Sequence, residues 1–176
     1  MKTTCPKCSR RIRIRKGKRD LRCSGCGFQL SRRKFFGDAN KYLIDTNIFL
    51  YAVNKDRHFG TACITLLSAY AGELVTTNYV IDEIRQYCEH TVKVYKVDKL
   101  SPEVAELRYG DESYPLSLAD KSLIQCAIDN PEIAGIITYD TDIKSVVPSS
   151  LIKSEKPFYV LTADEFLKKS NKTRFK

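Results

Sequence analysis

Four acidic residues occupy comparable places along this chain. Asp45 ends the apolar run Tyr42-Leu43-Ile44, and Asp140 ends the run from Ala134 to Tyr139. Glu83 lies on the helical segment that leaves Leu74-Val75-Thr76-Thr77, and Asp120 opens the helical segment that begins Ser117-Leu118-Ala119. In a parallel sheet, strand ends and the first turns of the following helices share one edge, where open α/β sheets bind their ligands. Four carboxylates gathered there repel one another, and some must take up protons unless a cation relieves them. Mg²⁺ and Mn²⁺ suit oxygen ligands and keep water positions open for substrate phosphates. The matching chemistry is metal-assisted hydrolysis of a phosphodiester. Taken alone, Asp45 reads better as the N-cap of the next helix. The case for chemistry rests on the other three acids.

A second constellation lies near the N-terminus. Cys5-Pro6-Lys7-Cys8 and Cys23-Ser24-Gly25-Cys26 give the spacing C-x2-C-x14-C-x2-C. Four thiolates so spaced suit a closed tetrahedral zinc shell with a structural role, one zinc per chain. A segment of some forty residues buries too little apolar surface to fold alone, and a metal supplies what is missing. Between the cysteine pairs, Arg11-Ile12-Arg13-Ile14-Arg15 alternates as a strand does, with the isoleucines on one face and the arginines on the other. Lys16-Gly17-Lys18 reads as a hairpin turn. Arg11, Arg13, Arg15, Lys16, Lys18 and Arg19 form a basic face for a nucleic-acid backbone.

The elements that must position the acids follow from periodicity. Tyr42–Ile44, Leu74–Thr77, Val92–Val97, Ala134–Tyr139 and Phe158–Leu161 read as strands. Helical periodicity runs through Ile48–Val53, Phe59–Ala71, Tyr79–Cys88 (capped by Asn78), a turn opened by Ser101-Pro102-Glu103, and Ser117 to about Asp129, which Pro131 stops. A short helix reaches Val147. Thr162 and Glu165 form a capping box for the last helix, and Gly110–Pro115 reads as a loop. The alternation predicts an α/β fold, a three-layer α/β/α sandwich with a mainly parallel central sheet, preceded by a small zinc ribbon. Residues 1–34 form the basic ribbon, 35–40 a linker containing Phe35 and Phe36, and 41–176 the main domain.

Composition agrees with two unlike parts. The chain has 176 residues, 43% of them apolar, and a formal net charge of +9. Residues 1–41 hold 14 Lys and Arg against Asp20 and Asp38, a charge of +12, and the remainder sums to −3. A strongly basic module joined to a mildly acidic domain points to a nucleic-acid partner. Seven cysteines, four of them in paired spacing, suit a reducing compartment and a metal better than a disulfide framework. There is no run of eighteen apolar residues and no signal-peptide pattern, so the expectation is a cytoplasmic protein without membrane association. Cys63, Cys88 and Cys126 read as core residues. His58 and His90 have no metal-ligand neighbour at useful spacing. Glycine-rich phosphate loops, dinucleotide fingerprints and a Ser–His–Asp set are absent.

Four motifs taken in order, Leu43-Ile44-Asp45-Thr46-Asn47, Thr77-Asn78-Tyr79-Val80-Ile81-Asp82-Glu83, Leu116-Ser117-Leu118-Ala119-Asp120 and Ile137-Thr138-Tyr139-Asp140-Thr141-Asp142, resemble those of PIN-domain nucleases over about residues 41 to 165. The resemblance implies a PIN fold and an Mg²⁺- or Mn²⁺-dependent endoribonuclease that leaves a 5′ phosphate and a 3′ hydroxyl. It implies Asp45, Glu83, Asp120 and Asp140 as the metal-binding quartet, with Asp142 a possible fifth acid. Thr46, Asn47 and Thr138 would orient ligands or water. Lys121 stands where the family often has a small residue, and could pair with Asp120 or reach a phosphate. A ribbon joined to a PIN domain is similar to the archaeal nuclease that matures small-subunit ribosomal RNA, although there the ribbon follows the domain. The expectation is RNA processing or ribosomal RNA maturation on structured or ribosomal RNA, with possible ribosome or pre-ribosome association. The alternatives are a VapC-type toxin ribonuclease, which is usually a bare PIN domain, and a non-catalytic RNA-binding or assembly factor.

Overall fold

The computed structural model describes residues 41–85, 92–109, 114–147 and 157–172, together with Gly25 and four short strands nearer the N-terminus. The chain divides into two compact units, Met1–Lys34 and Phe35–Lys176. In the first, β1 (Lys2–Thr4) pairs antiparallel with β2 (Arg11–Arg13), and β3 (Asp20–Arg22) pairs antiparallel with β4 (Gln29–Ser31). Arg11 and Arg13 therefore sit on a strand, while the turn expected at Lys16-Gly17-Lys18 lies outside the described residues. The connection from β1 to β2 contains Cys5 and Cys8, and that from β3 to β4 contains Cys23 and Cys26. These four cysteines, with Arg15, Lys16, Lys18 and Arg19, the 35–40 linker, Cys88 and His90, lie outside the described residues.

The second unit is α/β. It runs β5 (Lys41–Ile44), α1 (Thr46–Val53), α2 (Gly60–Tyr70), β6 (Leu74–Thr77), α3 (Asn78–Ile84), β7 (Lys93–Tyr95), α4 (Pro102–Ala105), β8 (Arg108–Tyr109), β9 (Tyr114–Pro115), α5 (Leu118–Asp129), β10 (Ile133–Ile137), α6 (Thr141–Val146), β11 (Tyr159–Leu161) and α7 (Ala163–Lys172). Five strands form one sheet in the order β11-β10-β5-β6-β7, every neighbouring pair parallel, and helices flank it. The segment expected as a loop at 110–115 differs: Arg108–Tyr109 pairs antiparallel with Tyr114–Pro115. No helix among the described residues is long and apolar enough to cross a membrane.

Strands β6 and β10 are buried throughout and β5 from Tyr42 on. Continuous apolar runs are what a parallel sheet covered on both faces requires. Leu43, Ile44, Val75, Ile136 and Ile137 are fully enclosed, joined by Ile48 of α1, Leu66 of α2, Ile84 of α3 and Leu123 and Ile124 of α5. Cys63 and Cys126 are free thiols in this core. Gly135 lets β10 and β11 lie close together, since a Cβ there would collide with the Tyr159 carbonyl oxygen of β11.

Strand order fixes where a site can form. From β5 the chain moves outward to β6 and β7, then returns to the other flank for β10 and β11. The direction reverses between β5 and β10. The helices leaving these two adjacent strands diverge there and open a crevice at the carboxyl ends. Asp45 follows one strand, and Thr138, Tyr139 and Asp140 follow the other.

Candidate functional site

Asp45 lies in that crevice, 4% exposed. It is the N-cap of α1, and its Oδ1 accepts the Thr46 N–H at 2.6 Å. Its Oδ2 accepts Asn47 Nδ2–H at 2.6 Å and the Thr138 hydroxyl at 2.6 Å. Thr138 Oγ1 in turn accepts from Asn47 Nδ2 at 3.0 Å and from the Asp140 N–H at 2.8 Å, so its own proton is directed to Asp45. Asn47 Oδ1 accepts the Tyr139 N–H at 3.2 Å, which fixes the amide orientation. Two side chains and one backbone N–H, from two adjacent strand ends, thus hold one carboxylate.

The other acids approach from their own helices. Glu83, on α3, accepts the hydroxyl of Thr46. Asp120 closes a capping box at the start of α5. Its Oδ2 accepts the Ser117 N–H at 3.1 Å and the Ser117 hydroxyl at 2.8 Å, and Ser117 Oγ accepts the Asp120 N–H at 3.1 Å. Asp140 caps α6, with Oδ1 accepting the Asp142 N–H at 2.7 Å. Asp142 itself is half-buried in the first turn of α6.

Electrostatics tie these groups into one field. Burial pushes the Asp45 carboxyl up to about 7. The hydrogen bonds from Thr138 and Thr46 oppose the push, and the charges of Asp120 and Asp140 add to it. Burial raises the Asp120 carboxyl as well, against the Ser117 hydrogen bonds, with the charges of Asp140 and Glu83 adding to the rise. The charge of Asp140 acts on both Asp45 and Asp120.

No protein-family model, curated protein or solved structure matches this chain.

The groups present, carboxylates and hydroxyls, are oxygen donors of the kind a hard divalent cation takes, and the carboxylates repel one another without a counter-charge. It is not a finished cage. Among the described residues, no three His, Cys, Asp or Glu side chains are gathered as a metal-holding group. The reason is visible in the hydrogen bonds. Asp120 and Asp140 are folded back onto their own helix starts, and Glu83 is turned to Thr46.

Several participants carry little or no signal in the sequence. Ser117 could have been read, because Ser-x-x-Asp ahead of an apolar run has capping-box spacing. Thr77 and Ser122 could not, since they meet across 45 residues with their hydroxyl oxygens 2.6 Å apart. Nor could Tyr139, whose hydroxyl donates to Asp164 at 2.6 Å and pins the β10–α6 turn to α7. The expected cap of α3 also shifts by one residue. Thr77 Oγ1 takes the Val80 N–H at 3.4 Å, while Asn78 Oδ1 takes the Val97 N–H at 2.8 Å. Lys121 neither pairs with Asp120 nor points to open solvent. It is buried, and its Nζ donates to the Ala105 carbonyl at the end of α4, 2.6 Å away. His58 is exposed on the turn before α2.

Proposed function

We propose that this chain is a metal-dependent endoribonuclease of PIN-like architecture, acting in RNA processing or ribosomal RNA maturation in the cytoplasm. The observation that carries the reading is the buried Asp45 at the reversal point of the sheet, its carboxyl pushed up by enclosure and by Asp120 and Asp140. Such a group is poised to trade its proton for a cation. Asp45, Glu83, Asp120 and Asp140 would hold Mg²⁺ or Mn²⁺, with the charge of Asp140 acting on both Asp45 and Asp120. The bound ion supplies Lewis acidity and an activated water beside a phosphodiester. The chain's own residues do the positioning. Asn47 and Thr138 aim Asp45, Thr46 holds Glu83, and Ser117 holds Asp120.

The N-terminal unit is proposed as a zinc ribbon that supplies affinity for structured RNA. Its support is the C-x2-C pair on the connection of each antiparallel strand pair, and the +12 charge of residues 1–41. About one zinc per chain should survive purification without chelator, as elemental analysis can measure. The nuclease reading is tested by incubating the full chain with a structured RNA in Mn²⁺, Mg²⁺ or EDTA. Metal-dependent internal cuts with 5′ phosphates are expected, and undiminished cutting in EDTA would overturn the reading. One observation favours a second reading, a non-catalytic RNA-binding or assembly factor: the acids are satisfied by their own helix caps. Titration with Mn²⁺ in the absence of RNA separates the two, because a scaffold has no saturable binding that depends on Asp45.

A further inference from the structure

A line of hydroxyls crosses the interior between the helix bearing Glu83 and the helix bearing Asp120. Thr77, the N-cap of α3, and Ser122, in the second turn of α5, are both fully buried. Ser122 Oγ donates to the Ala119 carbonyl at 2.7 Å, which commits its proton. The Thr77 hydroxyl must then be the donor across the 2.6 Å gap to Ser122. Thr77 Oγ1 also accepts the Val80 N–H at 3.4 Å. The hydrogen bonds run in one direction, from an amide in the first turn of α3, through two hydroxyls, to a carbonyl in the first turn of α5. Its first link satisfies the Val80 N–H, an orphan donor of the α3 start. Breaking the line leaves a buried polar group unsatisfied at the start of α3, the Thr77 hydroxyl or the Val80 N–H.

We propose that Thr77 and Ser122 are positioning residues that fix the separation of Glu83 from Asp120 and thereby set the affinity of the acidic site for a divalent cation. This rests on the metal-dependent reading above. Glu83 and Asp120 carry like charges, and the spacing of α3 and α5 sets how far apart the two helices hold them. Apolar packing between the helices resists separation without direction, whereas a short hydroxyl–hydroxyl bond holds one distance. Ser122 lies two residues from Asp120, and Thr77 opens the helix on which Glu83 sits. A shift at the pair therefore moves the two carboxylates relative to each other.

The test is Mn²⁺ binding to the full chain without RNA, measured by calorimetry, beside thermal melts in EDTA. Wild type, Thr77→Val, Ser122→Ala, Thr77→Ser and Asp45→Asn are compared. Thr77→Val and Ser122→Ala should bind Mn²⁺ at least about tenfold more weakly, the scale seen when groups that orient metal ligands are removed. Thr77→Ser keeps the hydroxyl and should bind as wild type does. A purely structural role would lower the melting temperature and leave Mn²⁺ affinity alone, and that result would overturn the proposal while leaving the nuclease reading intact. If wild type binds Mn²⁺ no more tightly than Asp45→Asn, the nuclease reading itself fails. Should Thr77→Val not fold, Ser122→Ala decides the matter, since it cuts the same line at its other member.

Discussion

The two ends of β5 and β10 carry opposite kinds of charge arrangement. At the amino end, Lys41 Nζ donates to the Gly72 carbonyl at 2.7 Å, and the Tyr95 hydroxyl donates to Glu132 at 2.7 Å. The Tyr95 hydrogen bond leads in holding the Glu132 carboxyl below its ordinary value, and the charges of Lys93 and Lys41 help. At the carboxyl end, acids face acids, and burial pushes Asp45 the other way. The same two strands therefore end in an exposed rim of opposite charges on one side and, on the other, in one enclosed carboxylate, Asp45, beside the half-buried Asp120 and Asp140. Charge arranged for stability is paired with its opposite. A buried carboxylate raised further by like-charged neighbours is where a counter-charge would act most strongly.

The largest expected effect is at the enclosed end. Asp45→Asn should lower RNA cleavage by roughly 10²–10³-fold or more, the scale of losing one group that stabilises charge in a reaction. A cleavage time course on a structured RNA measures it, and near-normal activity would reduce Asp45 to a helix cap. Next in size is deletion of residues 1–34, which form a separate compact unit. The truncated chain should bind RNA at least about tenfold more weakly and with a flatter salt dependence, since Lys and Arg contacts release condensed counterions. Equal salt slopes would show that the basic unit is not the RNA-binding element.

A smaller effect appears in stability against pH. Because the folded Asp45 carboxyl is raised to about 7 from 3.8, the folded state holds that proton more tightly than the unfolded chain. Its contribution is fully present below about pH 4 and is lost as pH rises through 7. In EDTA the melting temperature of wild type relative to Asp45→Asn should therefore fall between those values, by several degrees, and level off above them. A difference that does not change with pH would mean that Asp45 is not the titrating group. The smallest effect belongs to the opposite rim. Glu132→Gln should cost less than about 1 kcal/mol, as exposed pairs do, and leave cleavage unchanged.

The parallel strands, the helices that leave them, and the acid at the end of β5 were legible because each is written locally. Tyr42 to Ile44 is an apolar run stopped by a carboxylate, and the burial of the strand follows from it. Thr162 and Glu165 showed their capping box by spacing alone, with Glu165 Oε2 accepting the Thr162 N–H at 2.8 Å. Contacts that depend on the fold were not legible. Nothing near Lys121 announces that its long side chain runs inward to the Ala105 carbonyl. Nothing near Asp120 says whether it faces metal or Ser117, because one carboxylate can serve as cap or ligand and the spacing is identical. The short pairing of Arg108–Tyr109 with Tyr114–Pro115 escaped because two-residue strands have no periodicity to detect.

The hydrogen bond from Thr138 to Asp45 joins residues 93 positions apart. During synthesis the chain emerges from its N-terminus, and distant strand pairings form only after the intervening chain is made. Strand β5 can pair with β6 early, but the support that β10 gives to Asp45 does not exist until residue 138 has been synthesised. Until then Asp45 lacks the hydrogen bond from Thr138, so the environment that raises its carboxyl is completed late, by the second half of the domain.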